Sequence, residues 1–208
     1  MRKTLILFAA FAAPAEIVDR IAVSVANQVI TERQIDEEVR VTAFQNQSEL
    51  NLSPAEKKKA AERLIEQTLV KREMDFSRYP ATPPAEADAP LAELKTNLGA
   101  AYQEKLTQYG IDEAALRRHL LWQIALLRFT GERFRPGVLI PEQDLRASYD
   151  SQVVRWKEQG LAPIPSFEEA RPKLEDELTT QRTAQALDRW LGDTRTQVQI
   201  RFHEGAFQ

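Results

Sequence analysis

Ile17 to Gln34, IVDRIAVSVANQVITERQ, constrains the fold more than any other stretch of this 208-residue chain. Ile21, Val23 and Val25 alternate with Ala22 and Ser24, the pattern of a strand with one buried face. Ala26-Asn27-Gln28 reads as a turn, because Asn tolerates the left-handed conformation. Val29 and Ile30 begin a return strand. Thr31 then opens a helix with Gln34 at its third position, a capping box in which each side chain satisfies the other's backbone N–H. A lone hairpin is marginal in water, so this one needs another strand. The best match is Thr196–His203 at the far end, where Val198, Ile200 and Phe202 alternate with Gln197, Gln199 and Arg201.

Between these ends the pattern is helical. The first helix is expected over Glu32–Gln47, with Asp36-Glu37-Glu38 favoured by its N-terminal dipole. Ser53-Pro54-Ala55-Glu56 opens a second helix with Ser as cap and Pro at the first position. Lys57-Lys58-Lys59 in its first turns reads as a solvated face. Tyr79–Pro90 carries Pro80, Pro83, Pro84 and Pro90 and reads as an extended loop. A third helix follows to Tyr109, with Gly110 as its left-handed terminator. Asp112 caps a fourth, to about Arg133, with two apolar faces: Leu116, Leu120, Ile124 and Leu127 on one, and Trp122, Ala125, Leu126 and Phe129 on the other. That pattern predicts a central position with helices on both sides. The fifth helix runs from Pro141 to about Trp156, and Lys157–Pro165 is a linker. The sixth begins at Ser166, through another capping box, or at Pro172, and runs to about Thr196. The predicted fold is mainly α: about six helices with a small β-sheet formed by the N-terminal hairpin and the C-terminal strand. Residues 16–208 are read as one domain, in parts 16–156, 157–165 and 166–208.

The N-terminus carries an address. Met1-Arg2-Lys3 is basic, Thr4–Ala13 is apolar, and Ala13-Pro14-Ala15 fits small-x-small cleavage, so residues 1–15 read as a cleaved secretory signal. The apolar run is too short for a transmembrane helix, and no other stretch is apolar enough to span a membrane. The expected location is the periplasm.

Chemistry is sparse. The net charge of −3 gives no global attraction to nucleic acid. Arg117, Arg118, Arg128, Arg133 and Arg135 are interleaved with Trp122, Phe129 and Phe134, but three of the five lie near the helix C-terminus, which favours cations, and the chain is acidic, so they are not read as a nucleic-acid site. Without cysteine there are no disulfides and no thiol catalysis. The 7 glycines form no phosphate loop. His119 and His203 lack carboxylate spacing for a metal, and no serine sits in a nucleophile elbow. The chain is read as a non-enzyme without cofactor.

The order of elements resembles the SurA-like periplasmic chaperones and their parvulin-type prolyl isomerase relatives. The resemblance rests on Val18–Asp36, Ala60–Met74 (AAERLIEQTLVKREM), Tyr109–Phe129, Val138–Asp150 and the Ser166–Phe202 tail beginning SFEEA. It implies a chaperone core closed by the two chain ends. In that family parvulin domains are inserted at the point matching Lys157–Pro165, where nothing of domain size fits here, and the isomerase sequence features are missing. The implied activity is ATP-independent holding of unfolded or partly folded polypeptides, with outer-membrane protein precursors as clients. The expected client-binding residues are Phe44, Tyr79, Trp122, Phe129, Phe134, Tyr149 and Trp156. An adaptor for one folded envelope partner and a residual isomerase are the alternatives, and a homodimer is left open.

Overall fold

The computed structural model describes residues 19–207; the segment read as a secretory signal lies outside them. Strands β1 (Ile21–Val25) and β2 (Gln28–Thr31) form the expected antiparallel hairpin. Strand β3 (Ile200–Phe202) pairs antiparallel with β1, placing Val23 opposite Phe202 and Val25 opposite Ile200, so the sheet order is β2-β1-β3. The two ends of the chain therefore meet in one sheet. The terminal strand is shorter than the alternation predicts, because the preceding helix runs to Thr196 and closes with a turn in which the Gln197 and Val198 N–H groups donate back to the Thr194 and Arg195 carbonyls.

Helices α1 (Glu32–Gln45) and α2 (Pro54–Phe76) cover the sheet. Ala22, Val23, Val25, Ile30, Ile35, Ala61, Ile65 and Phe207 form its core. The Thr31 capping box forms as read. Ser53 flanks α2 but its side chain makes no cap hydrogen bond.

The expected third helix is two, α3 (Asp88–Leu98) and α4 (Tyr102–Tyr109), separated at Gly99. Gly99 takes a positive φ of 52°. The apolar stripe survives the break because a short 3-10 turn keeps Leu91, Tyr102 and Leu106 in one cluster. Part of the predicted Tyr79–Pro90 loop is helical as well. Pro84 opens a 3-10 turn, and Pro90 lies in the first turn of α3, where a missing N–H costs nothing. Gly110 ends α4 at φ 63°. A Cβ there would sit 2.6 Å from Arg40 Nη1, which donates to the Tyr109 carbonyl at 3.0 Å. Glycine is thus required both for its dihedral and for its missing side chain.

Helix α5 (Glu113–Phe134) is capped by Asp112, whose Oδ1 accepts from the Ala115 N–H at 2.6 Å. Of the two apolar faces read for this helix, the one that begins at Leu116 is covered only over the first half, while Phe129 on the other is buried. Leu116 and Leu120 are buried against the α1, α3 and α4 cluster, whereas Leu127, on the same line, is 77% exposed. Gln123 on α5 exchanges side-chain hydrogen bonds with Gln45, the last residue of α1, so the covering helix ends there and Leu127 lies beyond it.

Helices α6 (Glu142–Glu158) and α7 (Phe167–Thr196) form an antiparallel hairpin. Ser166 caps α7 through a complete box with Glu169, and Pro172 lies inside the helix. The start at Ser166 is therefore the one adopted. The hairpin has its own apolar seam around Leu145, Ala170 and Leu174. The later turns of α7 pack on α2 and α5. Among the described residues, no helix is long and apolar enough to cross a membrane.

Candidate functional site

The hairpin of α6 and α7 builds an apolar groove at the end nearest their connection. Trp156 projects from the last turns of α6, and Ala170 and Leu174 from the first turns of α7. Pro165 closes one end, and Gln152, Lys173 and Glu177 supply a polar rim around a cavity of about 220 Å³. The capping box fixes the wall at the start of α7: the Ser166 N–H donates to Glu169 Oε2 at 2.7 Å. The Ser166 hydroxyl and N–H hold the Glu169 carboxyl below the usual carboxylate range. Tyr149 braces the connection, its hydroxyl donating to the Pro165 carbonyl at 2.8 Å. Its ring meets Trp156 and Phe167 edge to face, with centroids 6.3 and 5.4 Å apart. Arg146 and Arg171 lie over the Phe167 ring. Trp156 is half-buried, while nearby Val154 and Leu161 are open to solvent. An apolar floor with polar groups at the rim is the usual form of a binding groove.

The seven aromatics expected to face a client fall into four places. Tyr149 and Trp156 belong to the groove just described. Tyr79, Phe129 and Phe134 meet edge to face in series, and Phe134 makes a tilted contact with Trp190 of α7. Tyr79 and Phe134 are half-buried, but Phe129 is fully buried and is part of the packing rather than a contact surface. Phe44 is buried too, edge to face with Tyr109. Both are corrections to the sequence reading: an aromatic on an amphipathic stripe serves the core first. Trp122 stands apart, half-buried under the Lys71 ammonium, which lies 4.8 Å from its ring centroid.

Sequence reasoning missed Ala170, Leu174 and Pro165 as groove residues. Ala170 and Leu174 sit on the apolar stripe of α7, a pattern that reads equally as plain core. The most open large apolar side chains are Leu139 at 82%, which carries no periodic signal, and Phe76 at 78%, whose spacing puts it on the apolar face of the second helix with Ala61, Leu64, Ile65 and Leu69 but which, as the last residue of α2, lies in solvent.

A second, polar cleft lies between α1, α2 and α5. It holds about 220 Å³ and is lined by Glu37, Glu38, Val41, Leu64, Lys71, Arg118, His119 and Trp122 among others. Glu38 is only 7% exposed. Its Oε1 accepts from Arg63 Nε at 3.0 Å, and its Oε2 lies 3.7 Å from His119 Nδ1. Burial would raise this carboxyl, but its contacts to His119 and Arg63 outweigh burial and hold it below the usual range. Arg118 pairs with Glu37 at 2.8 Å. The acidic triplet after Thr31 is therefore not merely a helix-dipole feature. Asp36 meets Lys57, Glu37 meets Arg118, and Glu38 meets Arg63 and His119. Lys57 corrects the expectation of a solvated lysine run, being 8% exposed, while Lys58 and Lys59 remain on the surface. His203 is tied to Ser24 across the sheet at 3.0 Å. Among the described residues, no group of three metal-binding side chains converges. No family model matches the chain, and no curated protein matches it.

Proposed function

We propose that this protein is an ATP-independent chaperone that holds unfolded or partly folded polypeptides. The observation that carries the reading is the groove floored by Trp156, Ala170 and Leu174, with Val154 and Leu161 left open in the adjoining chain. An unfolded chain offers what such a groove accepts: apolar side chains for the floor and unsatisfied backbone groups for Gln152, Lys173 and Glu177. The open Phe76, Leu127 and Leu139 add apolar surface of the same kind on the rest of the molecule. We take the periplasm as its compartment from the Met1–Ala15 pattern, and outer-membrane precursors as its clients from the resemblance of the ordered segments.

The test is suppression of aggregation of a denatured outer-membrane protein at stoichiometric ratio, comparing the wild-type chain with Trp156→Ala and Leu161→Ser. Wild type is expected to keep the client soluble, and the double variant, shown folded by its melting curve, to lose most of that protection. No protection by folded wild-type protein overturns the proposal. Capture of a single folded partner with no effect on unfolded chains would replace it with an adaptor.

A further inference from the structure

The sheet that joins the two chain ends has two edges, and they are not equally closed. The hydrogen bonds that flank β3 fix which of its backbone groups face β1. The Ala26 N–H donates to the Gln199 carbonyl at 2.9 Å, and the His203 N–H donates to the Ala22 carbonyl at 2.8 Å. Ser24 stands opposite Arg201 between them. Bonding alternates along an antiparallel pair, so Gln199, Arg201 and His203 turn their backbone groups toward β1. Ile200 and Phe202 turn their N–H and C=O groups the other way. β3 is the last strand of the sheet, and among the described residues no strand meets those four groups. At the opposite edge β2 offers less. By the same alternation Val29 faces outward there, but the Thr31 N–H is spent on Gln34 Oε1 at 2.9 Å, and the chain turns into α1.

We propose that β3 takes up a further antiparallel strand from an extended polypeptide with the pattern apolar–acidic–apolar. Donors and acceptors at alternate residues of a strand edge are the complement of a peptide backbone. The side chains add the pattern. Ile200 and Phe202 are half-buried against the sheet core, so the added residues beside them lie on the same face and gain from being apolar. The residue between them lies beside Arg201 on the solvent face, in the closer, non-hydrogen-bonded kind of pair. Arg201 is exposed and its neighbour on β1, Ser24, is uncharged, so an acidic side chain is favoured there. The same register disfavours a second copy as the occupant. Two β3 strands related by a two-fold axis use all four outward groups of each only when Arg201 stands opposite its own copy, and like charges directly opposite are destabilising. The proposal rests on the chaperone reading for the kind of ligand, an unfolded chain, but not for the site: the groove lies by the first turns of α7 and β3 follows its last.

The experiment titrates the isotope-labelled full chain with short peptides and follows the amide resonances of Ile200 and Phe202. The probes are acetyl-Thr-Val-Glu-Val-Thr-amide, the same peptide with Lys in place of Glu, and the Glu peptide N-methylated at both valines, whose N–H groups are the ones that would face β3. The Glu peptide is expected to shift both amides saturably. The Lys peptide should bind about threefold more weakly, as like charges now meet across the pair. The N-methylated peptide should bind at least about tenfold more weakly, because two donors are gone. Arg201→Glu, an exchange at an exposed position, is expected to reverse the order of the Glu and Lys peptides. No saturable shift at Ile200 and Phe202, equal binding of the N-methylated peptide, or a Glu preference that survives in Arg201→Glu overturns the proposal. Shifts of the two amides on concentrating the protein alone give the edge to a second copy and overturn it as well. The chain carrying Trp156→Ala and Leu161→Ser is expected to bind the Glu peptide as wild type does, so failure of the edge and failure of the groove are told apart.

Discussion

Glu38→Gln tests the link between the acidic triplet and the fold. Glu38 joins three helices: its own α1, α2 through Arg63, and α5 through His119. Glutamine keeps the shape and an oxygen for Arg63 Nε but removes the charge. Breaking a fully buried ion pair costs about 3–5 kcal/mol because the orphaned partner stays buried. Here the Arg63 side chain is 40% exposed and regains water when its partner is neutralised, so the expected cost is lower. What is lost is the charge on a hydrogen bond and the facing imidazole, together about 2 kcal/mol. For a chain of this size that lowers the melting temperature by about 4–8 °C at neutral pH. The pH dependence sharpens the test. A carboxyl held below 4.5 in the fold stabilises the native state above its unfolded value, and that stability is lost as pH falls through the lower folded value. Wild type and variant are therefore expected to converge below pH 4.5 as Glu38 becomes protonated. Thermal melts by circular dichroism from neutral to acid pH read both effects. Equal melting temperatures at neutral pH, or curves that stay parallel into the acid range, would refute the assignment of Glu38 as a three-helix tie.

Lys57→Met keeps the packed stem but removes the ammonium that lies 3.1 Å from Asp36 and 3.4 Å from Glu32. Both carboxylates keep some access to water, so a cost of about 1 kcal/mol is expected in urea unfolding. Burial would lower the Lys57 ammonium, but Asp36 and Glu32 hold it above the ordinary lysine value of 10.5. The stabilisation is thus complete below that value and is lost as pH rises through the folded one, so the deficit of the variant should vanish in strong alkali. Asp112→Ala removes the acceptor for the Ala115 N–H and should cost about 1 kcal/mol, or about 2–4 °C in melting temperature, with Asp112→Asn recovering most of it.

The features legible in the sequence are those set by neighbours within a few residues. The Thr31 and Ser166 boxes, the Asp112 cap and the Gly110 terminator each need one or two side chains at fixed spacing, and each forms. The pairing of β1 with β3 was legible for another reason: a hairpin short of a partner and one unclaimed alternating segment leave little choice. Reading failed where distant contacts decide. Lys57 looked like its neighbours Lys58 and Lys59, and only the approach of α1 makes it a buried counter-ion. The break at Gly99 was hidden because the stripe from Leu91 to Tyr109 keeps its spacing across the 3-10 turn. Leu127 continues the line of Leu116 and Leu120 without any local mark that α1 ends before it.

The same contrast explains why the groove was only half visible. Tyr149 and Trp156 were picked out as large aromatics, but a groove needs a second wall, and that wall comes from the choice between Ser166 and Pro172 as the start of α7. Beginning at Ser166 puts Ala170 and Leu174 within the first turns of α7, opposite Trp156, and lets Tyr149 reach the Pro165 carbonyl. Beginning at Pro172 would have left Ala170 outside the helix and the floor unbuilt. One cap therefore decides whether the last turns of α6 face a partner or solvent. The seam it creates around Leu145, Ala170 and Leu174 shares no residue with the sheet core around Val23, Val25 and Phe207. Helix α7 connects them, running from the groove at its N-terminal turns into β3 just beyond its C-terminal end, so the strand that closes the sheet and the wall that shapes the groove belong to one continuous stretch of chain.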